Sequence, residues 1–221
     1  MTWDTLRPVL VDLARRNPSP VRDGPDPRVV GPRRAPFHLR LEPWAVEVAE
    51  QLHRRFGAEV VLTVGHFGYP ARRPVDGLGR PVAGGVPRRP ADEERAELLD
   101  PTRLTVDLAR DVTVSSGHEV RAPLKITNHG AGPVEVRRLH AVVVDSANGA
   151  VVGDALPHAE IGHAAWLAPG ASTIAPVLVG TASRDPALGY AVPPGEWALR
   201  VYLEPGGGRL VRAPLLPLTV A

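Results

Sequence analysis

Three short stretches of the sequence carry residue types that could perform chemistry. The first is DVTVSSGH over residues 111–118, which places Asp111, Ser115, Ser116 and His118 close together along the chain. These are the residue types of a serine hydrolase, but a catalytic triad needs a nucleophile on a strained turn, a base oriented by a buried acid, and an oxyanion hole. A Ser-Ser-Gly run between two strand-like stretches is ordinary turn chemistry. We therefore assign no catalytic residue and leave open whether the chain is an enzyme.

The second stretch is PHAEIGH over residues 157–163, which contains His158, Glu160 and His163. The H-x-E-x-x-H spacing differs from the helical H-E-x-x-H motif, which places two imidazoles on one helix face. A proline and a glycine favour a loop, in which three ligands could converge on zinc or copper. The alternative is a pair of surface histidines at the end of a β-sandwich. These three residues are the candidates for a metal site, and we expect no cofactor.

The third stretch is HFGYP, which follows the apolar run AEVVLTVG and contains His66, Phe67 and Tyr69. An aromatic patch at a strand end suits the recognition of a partner, because a large apolar side chain lies beside a hydrogen-bonding tip. The alternative is that Phe67 and Tyr69 pack beneath the following linker as a seam between two domains. We favour the seam and keep the three residues as candidates for partner binding.

Composition restricts the partners. The chain has 221 residues and a net charge of +2, and because Lys125 is its only lysine, arginine supplies almost all of the positive charge. Nucleic-acid-binding domains concentrate such charge on one face beside aromatic or helical readout elements, which we do not find. The absence of cysteine excludes disulfides and thiolate metal sites. No apolar run has the length of a membrane span. We therefore expect another protein as partner, with no nucleic acid and no membrane, and leave the oligomeric state open.

The first 36 residues predict a helix followed by a linker. In residues 1–16, apolar residues recur at three- and four-residue spacing, which is typical of an amphipathic helix. These residues are Trp3, Leu6, Leu10 and Leu13. The same segment lacks the basic, apolar and small-residue order of a signal peptide, so we expect a cytoplasmic protein. Residues 17–36 are rich in proline and poor in apolar residues, which predicts a linker.

Residues 37–69 predict a small β-α-β unit. The strand FHLRL is followed by the helical run EPWAVEVAEQLHRRFG and then by a strand over 59–65, and a helical connection predicts that the two strands pair in parallel. One helix leaves a second sheet face, carrying Val61, Thr63 and Phe67, which must be covered by the N-terminal helix or by the next domain. The segment resembles a recurring actinobacterial helix-strand element, to which we attach no family name or role.

The remainder of the chain predicts a second linker and then a β-domain. Residues 70–100 are rich in proline, glycine and arginine and end in a short acidic helix over 91–99. Over 101–221, about seven or eight short strands alternate with turn signals, which is the pattern of an immunoglobulin-like sandwich. The predicted fold class is therefore α+β, with a small β-α-β N-terminal unit and an N-terminal helix, followed by an all-β immunoglobulin-like sandwich.

Three phrases of this β-region, KITNHGAGPVEV, LAPGAS and VPPGEWALRVYL, resemble the strand-and-turn sequences of bacterial immunoglobulin-like domains. Over 101–221 the chain is similar to intracellular proteinase-inhibitor domains of the BsuPI type, in which N-x-G-x-x-P-V crosses between the sheets and P-P-G-x-W/Y begins a late strand. The resemblance implies an immunoglobulin-like fold. It does not carry over inhibitory activity, because no residue here matches a known reactive loop.

Together these patterns favour a non-catalytic protein-interaction or scaffold protein that presents an immunoglobulin-like sandwich. One alternative is an enzyme or metal-binding protein with a site between the two domains, formed by His66, His158 and His163. A second alternative is a proteinase-inhibitor-like binding module, which depends on analogy of fold alone.

Overall fold

The computed structural model describes residues 3–16, 21–23, 36–69, 93, 95–156, 165–206 and 209–221. The chain forms two compact units, the first made of residues 1–87 with 182–191 and the second of 88–181 with 192–221. The sequence predicts an uninterrupted sandwich over 101–221, so the place of 182–191 in the first unit is a difference from that expectation. No helix within the described ranges is long and apolar enough to cross a membrane.

The described elements, in chain order, begin with α1 (Trp3–Arg16), β1 (Val21–Asp23), β2 (Phe37–Leu41), α2 (Val46–Phe56), β3 (Val60–Val64) and β4 (Phe67–Gly68). They continue with β5 (Glu97–Leu98), β6 (Leu104–Leu108), β7 (Thr113–Val114), β8 (Glu119–Asn128), β9 (Val134–Val144), β10 (Val151–Asp154), β11 (Ala165–Leu167) and β12 (Ser172–Gly180). The last strands are β13 (Ala182–Ser183), β14 (Gly195–Pro205), β15 (Val211–Arg212) and β16 (Leu216–Val220).

The first unit is built on a sheet with the strand order β1-β2-β3-β4. β2 and β3 pair in parallel and are connected through α2, which confirms the predicted β-α-β unit. β1 lies within residues 17–36, which the sequence predicts as a linker, and it pairs antiparallel with β2. Helix α1 precedes the sheet as expected, although Pro8 lies in its second turn, where its ring nitrogen cannot donate to the Asp4 carbonyl.

One face of this sheet packs against both helices. Every second residue of β2 and β3 is buried, and these residues share one core with apolar positions of α1 and α2. The core residues of the two strands and the two helices are Phe37, Leu39, Leu41, Val60, Leu62, Val64, Leu6, Leu10, Val48, Ala49 and Leu52. Each fully buried leucine stabilises the unit by on the order of 2 kcal/mol through its removal from water.

On the opposite face of the sheet, Val61 is 43% exposed. Phe67 does not share that face, because Gly65 and His66 form a two-residue turn that places Phe67 directly opposite Val64. Cross-strand partners point to the same side of a sheet, so the Phe67 ring enters the buried core. The expectation that Phe67 and Val61 lie on one face is therefore wrong.

Position 65 requires glycine. Its φ is +58°, in the left-handed region that other residues rarely adopt. A Cβ atom at Gly65 would also lie 3.2 Å from Cγ of Pro43 and 3.3 Å from the carbonyl oxygen of Tyr190. The turn that directs Phe67 inward is thus fixed by both backbone conformation and close packing.

The core of the first unit is completed by a segment from far along the chain. Residues 182–191 contain β13 and a 3-10 turn over Pro186–Leu188, and the Ser183 amide donates to the Tyr190 carbonyl over 3.0 Å. Tyr190 is 5% exposed and belongs to the same core as Phe67, with 6.5 Å between the two ring centroids. Aromatic pairs at this separation are mutually attractive in tilted arrangements.

The second unit contains two sheets. The smaller sheet has the strand order β12-β8-β6. In the larger sheet β9 pairs with β14, β10 and β11 pair with β9, and β15 and β16 pair with β14. Two short strands extend it in parallel, β5 beside β15 and β7 beside β16.

Buried apolar residues on the central strands of both sheets form the sandwich core. They are Leu104, Val106, Ala122, Leu124, Ile126, Val177 and Val179 from the smaller sheet, and Leu139, Ala141, Val143, Leu199, Val201 and Leu203 from β9 and β14. Alternate residues of each strand therefore point inward, as in two sheets packed face to face. This architecture confirms the predicted immunoglobulin-like sandwich.

The Asn128 side chain holds the connection between the two sheets. It is fully buried at the end of β8. Its Nδ2 donates to the carbonyls of Gly132, Leu167 and Ala168 over 2.9, 3.0 and 3.2 Å, and its Oδ1 accepts from the Gly130 amide over 2.9 Å. One side chain thereby joins the turn after β8 to the turn between β11 and β12, which gives the asparagine of the N-x-G-x-x-P-V phrase its physical role.

The segment predicted as an acidic helix over 91–99 ends as a strand. β5 pairs with β15, and the Leu99 amide donates to the Arg212 carbonyl over 2.8 Å. Ala96 and Leu99 are buried whereas Leu98 is 62% exposed, which is typical of an extended chain on a surface. Strand pairing and burial outweigh the helix propensity of this acidic run, so the helix prediction is wrong for residues 97–99.

Phe67→Ala is expected to destabilise the full-length protein by about 3 kcal/mol, because the substitution removes a buried ring and leaves a cavity. The denaturant midpoint measures this loss. Val61→Ala, on the open face of the neighbouring strand, is the matched control and should change stability by about 0.5 kcal/mol or less. Equal midpoints for Phe67→Ala and the wild type would contradict the burial of this ring.

Asn128→Ala is expected to destabilise the second unit by about 3 kcal/mol, since the carbonyls of two turns lose a buried donor. Asn128→Asp is the informative comparison, because it keeps the acceptor for the Gly130 amide but removes the Nδ2 donor. Thermal unfolding of both variants measures the effect. Full stability in Asn128→Asp would show that the Nδ2 hydrogen bonds do not hold the connection.

Candidate functional site

The structure places the three residues of HFGYP at different depths. His66 is 5% exposed, Phe67 is fully buried, and Tyr69 is partly buried at the edge of the same core. The Tyr69 ring meets the His53 ring edge to face, with 5.4 Å between centroids. Of the three candidates, Tyr69 alone is more than marginally exposed. Partner binding by this set of residues stays a prediction.

In the DVTVSSGH stretch, several side-chain hydrogen bonds of the described residues are those of a turn. Ser116 Oγ donates to the Val192 carbonyl over 2.7 Å, and Thr181 Oγ1 donates to the carbonyls of Ser115 and His118. These contacts hold a turn in place. His158, Glu160 and His163 lie outside the described residues. Within the described residues, no group of three His, Asp or Glu side chains is placed to hold a metal.

A different surface stands out on the larger sheet, on the side of the β9–β14 pair that points away from the sandwich core. We call it the outer face. At its centre His140 and Tyr202 are cross-strand partners, and their rings stack with 4.9 Å between centroids and an interplanar angle of 15°. Tyr202 is 1% exposed, although alternation along β14 predicts a solvent-facing residue there. Something must therefore cover this part of the outer face.

The cover is the chain just before the sandwich, namely Glu93 and residues 95–99, which we call the strap. Ala96 of the strap packs into a small second core on the outer face. The sheet residues of this core are Val142, Val144, Ala198 and Tyr202. Glu93 adds a polar contact, because its Oε1 lies 3.0 Å from Nε2 of His140, an ion pair whenever the imidazole is protonated. The strap thus occupies one half of the outer face, the covered half.

The far end of the strap is held by backbone pairing. β5 runs parallel to β15, with Glu97 opposite Val211. An ion pair between Glu97 and Arg209, at 3.3 Å, contributes little because both side chains are largely exposed. The chain then turns at Asp100, whose carboxylate accepts from the Thr102 hydroxyl and amide over 2.7 and 2.9 Å. These hydrogen bonds lower the pKa of Asp100 below its usual value.

The other half of the outer face is open, and Trp166 is its main apolar side chain. Trp166 lies in the middle of β11, directly opposite Glu135 of β9, and it is 71% exposed. Its neighbour Leu167 is buried, so alternation along this short strand directs the indole outward. An indole left this far in water is unusual in a side chain that normally buries most of its surface.

Two consecutive arginines of β9 are exposed on the open half with Trp166, because the register of β9 with β14 shifts between Leu203 and Pro205 and interrupts the alternation of side chains there. Arg137 Nε lies 2.8 Å from Glu135 Oε2, and Arg138 Nε lies 3.4 Å from Glu204 Oε2. The arginine side chains are 54% and 59% exposed, whereas the two glutamates are only 15% and 17% exposed. The carboxylates therefore lie beneath the guanidinium groups, and a molecule approaching this half meets an indole and two cations first.

Sequence reasoning missed both halves of the outer face. The phrase AAWLAPGAS does contain a usable signal, because an inward Leu167 next to a turn requires an outward Trp166. The strap could not be recognised in the same way. Its residues have helix-forming composition, and the buried outer position of Tyr202 depends on a contact between segments far apart in the chain.

Ala96→Arg is expected to loosen the strap without unfolding the sandwich, because a long charged side chain cannot fit against Tyr202 and overpacking costs about 1–3 kcal/mol. Hydrogen exchange reports the effect at the Leu99 amide, which should exchange about tenfold faster or more. Amides of the β8–β12 pair serve as the internal reference, and Leu98→Ala is the matched exposed control. Unchanged protection at Leu99 would contradict the packing of Ala96.

Comparisons with known proteins identify no family. No protein-family model matches the chain, and no curated protein matches its sequence. Among solved structures, it is similar to the ASH/PapD-like domain 7 of human CEP192, with 14% identity over 61% of this chain and 98% of that chain, and a TM-score of 0.28.

Two other solved structures give the same result. The CARDB domain of PF1109 from Pyrococcus furiosus, solved in complex with di-metal ions, is 13% identical over 57% of this chain and 91% of that one, with a TM-score of 0.29. The Salmonella enterica SafA pilin in complex with the SafB chaperone is 15% identical over 57% of each chain, with a TM-score of 0.29. Likenesses at these scores assign neither an activity nor a partner to this chain.

Proposed function

We propose that the protein is a non-catalytic interaction module that binds another protein through the open half of the outer face. The observation that carries this proposal is the 71% exposure of Trp166 beside two exposed arginines. Tryptophan and arginine are the residues most enriched among those that dominate the binding free energy of protein interfaces.

The free-energy gain from covering Trp166 is large enough to matter. An aromatic side chain of this size buries about 150–250 Å² on complete burial, so covering the exposed part of the indole stabilises a complex by on the order of 3 kcal/mol. The arginines add directional hydrogen bonds at the edge of the same surface. Apolar contact at the centre with a charged rim is the usual anatomy of a specific interface.

Ile174 is the strongest competing feature, since it is 63% exposed on the smaller sheet. Its cross-strand partner is Lys125, and the next pair along the same strands on that face is Thr127 with Ser172. An isolated exposed aliphatic residue in polar surroundings is common on monomeric proteins and needs no functional explanation. Trp166 differs because it is larger and adjoins a charged cluster.

The other functional hypotheses stay predictions. An enzyme or metal-binding protein that uses His66, His158 and His163 would contain stoichiometric metal after purification, which elemental analysis measures. A proteinase-inhibitor-like role rests on the resemblance to BsuPI-type domains, and in that case the protein partner would be a proteinase.

Trp166→Ala is expected to weaken partner binding strongly while leaving the fold intact. Truncating a central tryptophan of an interface typically costs 2 kcal/mol or more, which is about a thirtyfold loss of affinity. Proteins captured from a native lysate by the full-length chain and by the variant are compared by quantitative mass spectrometry. The free energy of unfolding of the variant, measured by denaturant titration, should differ from that of the wild type by about 0.5 kcal/mol or less.

Ile174→Ala is the matched control, because it removes an exposed apolar side chain from the other sheet. It should capture the same proteins as the wild type. The proposal fails if Trp166→Ala retains every captured protein, or if Ile174→Ala loses the same ones.

A further inference from the structure

We propose that the partner segment on the open half of the outer face is an extended acidic peptide with an apolar side chain. This inference rests on the proposed function and specifies the chemistry of the partner. It follows from the way in which the chain's own strap occupies the covered half, and from the charges that continue along the same strands.

The strap shows what kind of chain this face accepts. A short turn, in which the Ala96 amide donates to the Glu93 carbonyl over 3.4 Å, places Ala96 on the core around Tyr202 and directs the Glu93 carboxylate to His140. The strap then continues as the extended strand β5. The strap therefore combines one acidic and one apolar contact within four residues. Its sequence over 91–100, ADEERAELLD, is strongly acidic.

The same face continues without interruption into the open half. His140 lies at the boundary between the two halves. From there toward the start of β9 come Arg138, Arg137 and Glu135, and Trp166 of β11 lies opposite Glu135. At about 3.3 Å per residue, the five steps along β9 from His140 to Glu135 span about 16 Å. An extended peptide of about five residues spans this distance and reaches both arginines and the indole.

The charges of the open half select an acidic peptide. Among the described residues, each arginine is engaged through Nε alone, by Glu135 for Arg137 and by Glu204 for Arg138. A guanidinium has five N–H donors, so its terminal nitrogens can still bind a carboxylate in a bidentate manner. A basic peptide would meet the two exposed guanidinium groups before the glutamates beneath them and would be repelled.

The indole accounts for the apolar part of the peptide. On the covered half, Val142 and Tyr202 provide the apolar surface that the strap contacts, and on the open half Trp166 provides the corresponding apolar surface. An acidic peptide without an apolar residue would leave the indole in water and forgo the larger part of the binding free energy. A second copy of the chain could offer its own strap here, and the experiment therefore includes a measurement of self-association.

The test measures binding of a fluorescent synthetic peptide, ADEERAELLD, to the full-length protein by anisotropy. The control peptide, ANQQRAQLLN, replaces each acid by its amide. We expect the acidic peptide to bind at least tenfold more tightly than the amide peptide. Its binding should weaken several-fold between low and high salt, because exposed charges are screened.

Variants of the protein locate the binding surface. Trp166→Ala, and separately the double variant Arg137→Gln with Arg138→Gln, should each weaken binding of the acidic peptide about tenfold or more. The double variant Arg137→Lys with Arg138→Lys keeps both charges and should retain affinity within about threefold of the wild type.

The matched control is Lys125→Gln with Ile174→Ala, which removes one exposed cation and one exposed apolar residue from the smaller sheet. It should bind like the wild type, and all variants are checked for unchanged denaturant midpoints.

Several results would overturn the inference. Equal binding of the two peptides would remove the acidic requirement, and equal weakening by the control double variant would place binding elsewhere. Trp166-dependent dimerisation in sedimentation experiments would identify a second copy as the occupant instead of a partner peptide. If Trp166→Ala loses a captured protein while the acidic peptide does not bind the wild type, the interaction function stands and the proposed peptide chemistry is wrong.

Discussion

The pairing of β9 with β14 is the constraint on which the second unit depends. These are long antiparallel strands, and both of their faces carry buried residues. The inner face supplies Ala141, Val143 and Val201 to the sandwich core, while the outer face supplies Val142 and Tyr202 to the second core beneath the strap. A slip of one residue in this register would exchange the two faces, so a single alignment determines both the core and the candidate interaction surface.

The two halves of the outer face show how one strand pair can serve stability and recognition together. Where the strap lies, small apolar side chains and the Tyr202 ring are shielded from water, while the stacked His140 ring stays partly exposed. Where the strap is absent, the same strands carry arginines over partly buried glutamates, with Trp166 beside them. The transition takes place within a few residues of β9, near the irregular pairing between Leu203 and Pro205. Local bulges of this kind commonly redirect side chains next to functional sites.

Much of the fold was accessible from sequence, because periodicity and turn chemistry are local. The β-α-β unit and the sandwich strands followed from alternation, and phrases such as VPPGEW marked a real turn in which Trp197 Nε1 donates to the Pro193 carbonyl over 3.0 Å. The failures have one common cause, which is tertiary contact. A two-residue turn reversed the expected side of Phe67, and distant strand pairing converted an acidic run into the strap. For the candidate site, the outward direction of Trp166 could be predicted from its strand, but the paired arginines around it could not.

The position of Tyr190 in the core of the first unit has a consequence for folding during synthesis. Residues 1–69 leave the ribosome long before residue 190, so the N-terminal unit emerges with the surface around Phe67 and Gly65 incomplete. Chain closure between positions so far apart is entropically costly and slow compared with local pairing. The nascent N-terminal segment therefore exposes apolar surface until most of the chain has been made, which makes this stage the one most open to chaperone binding or aggregation.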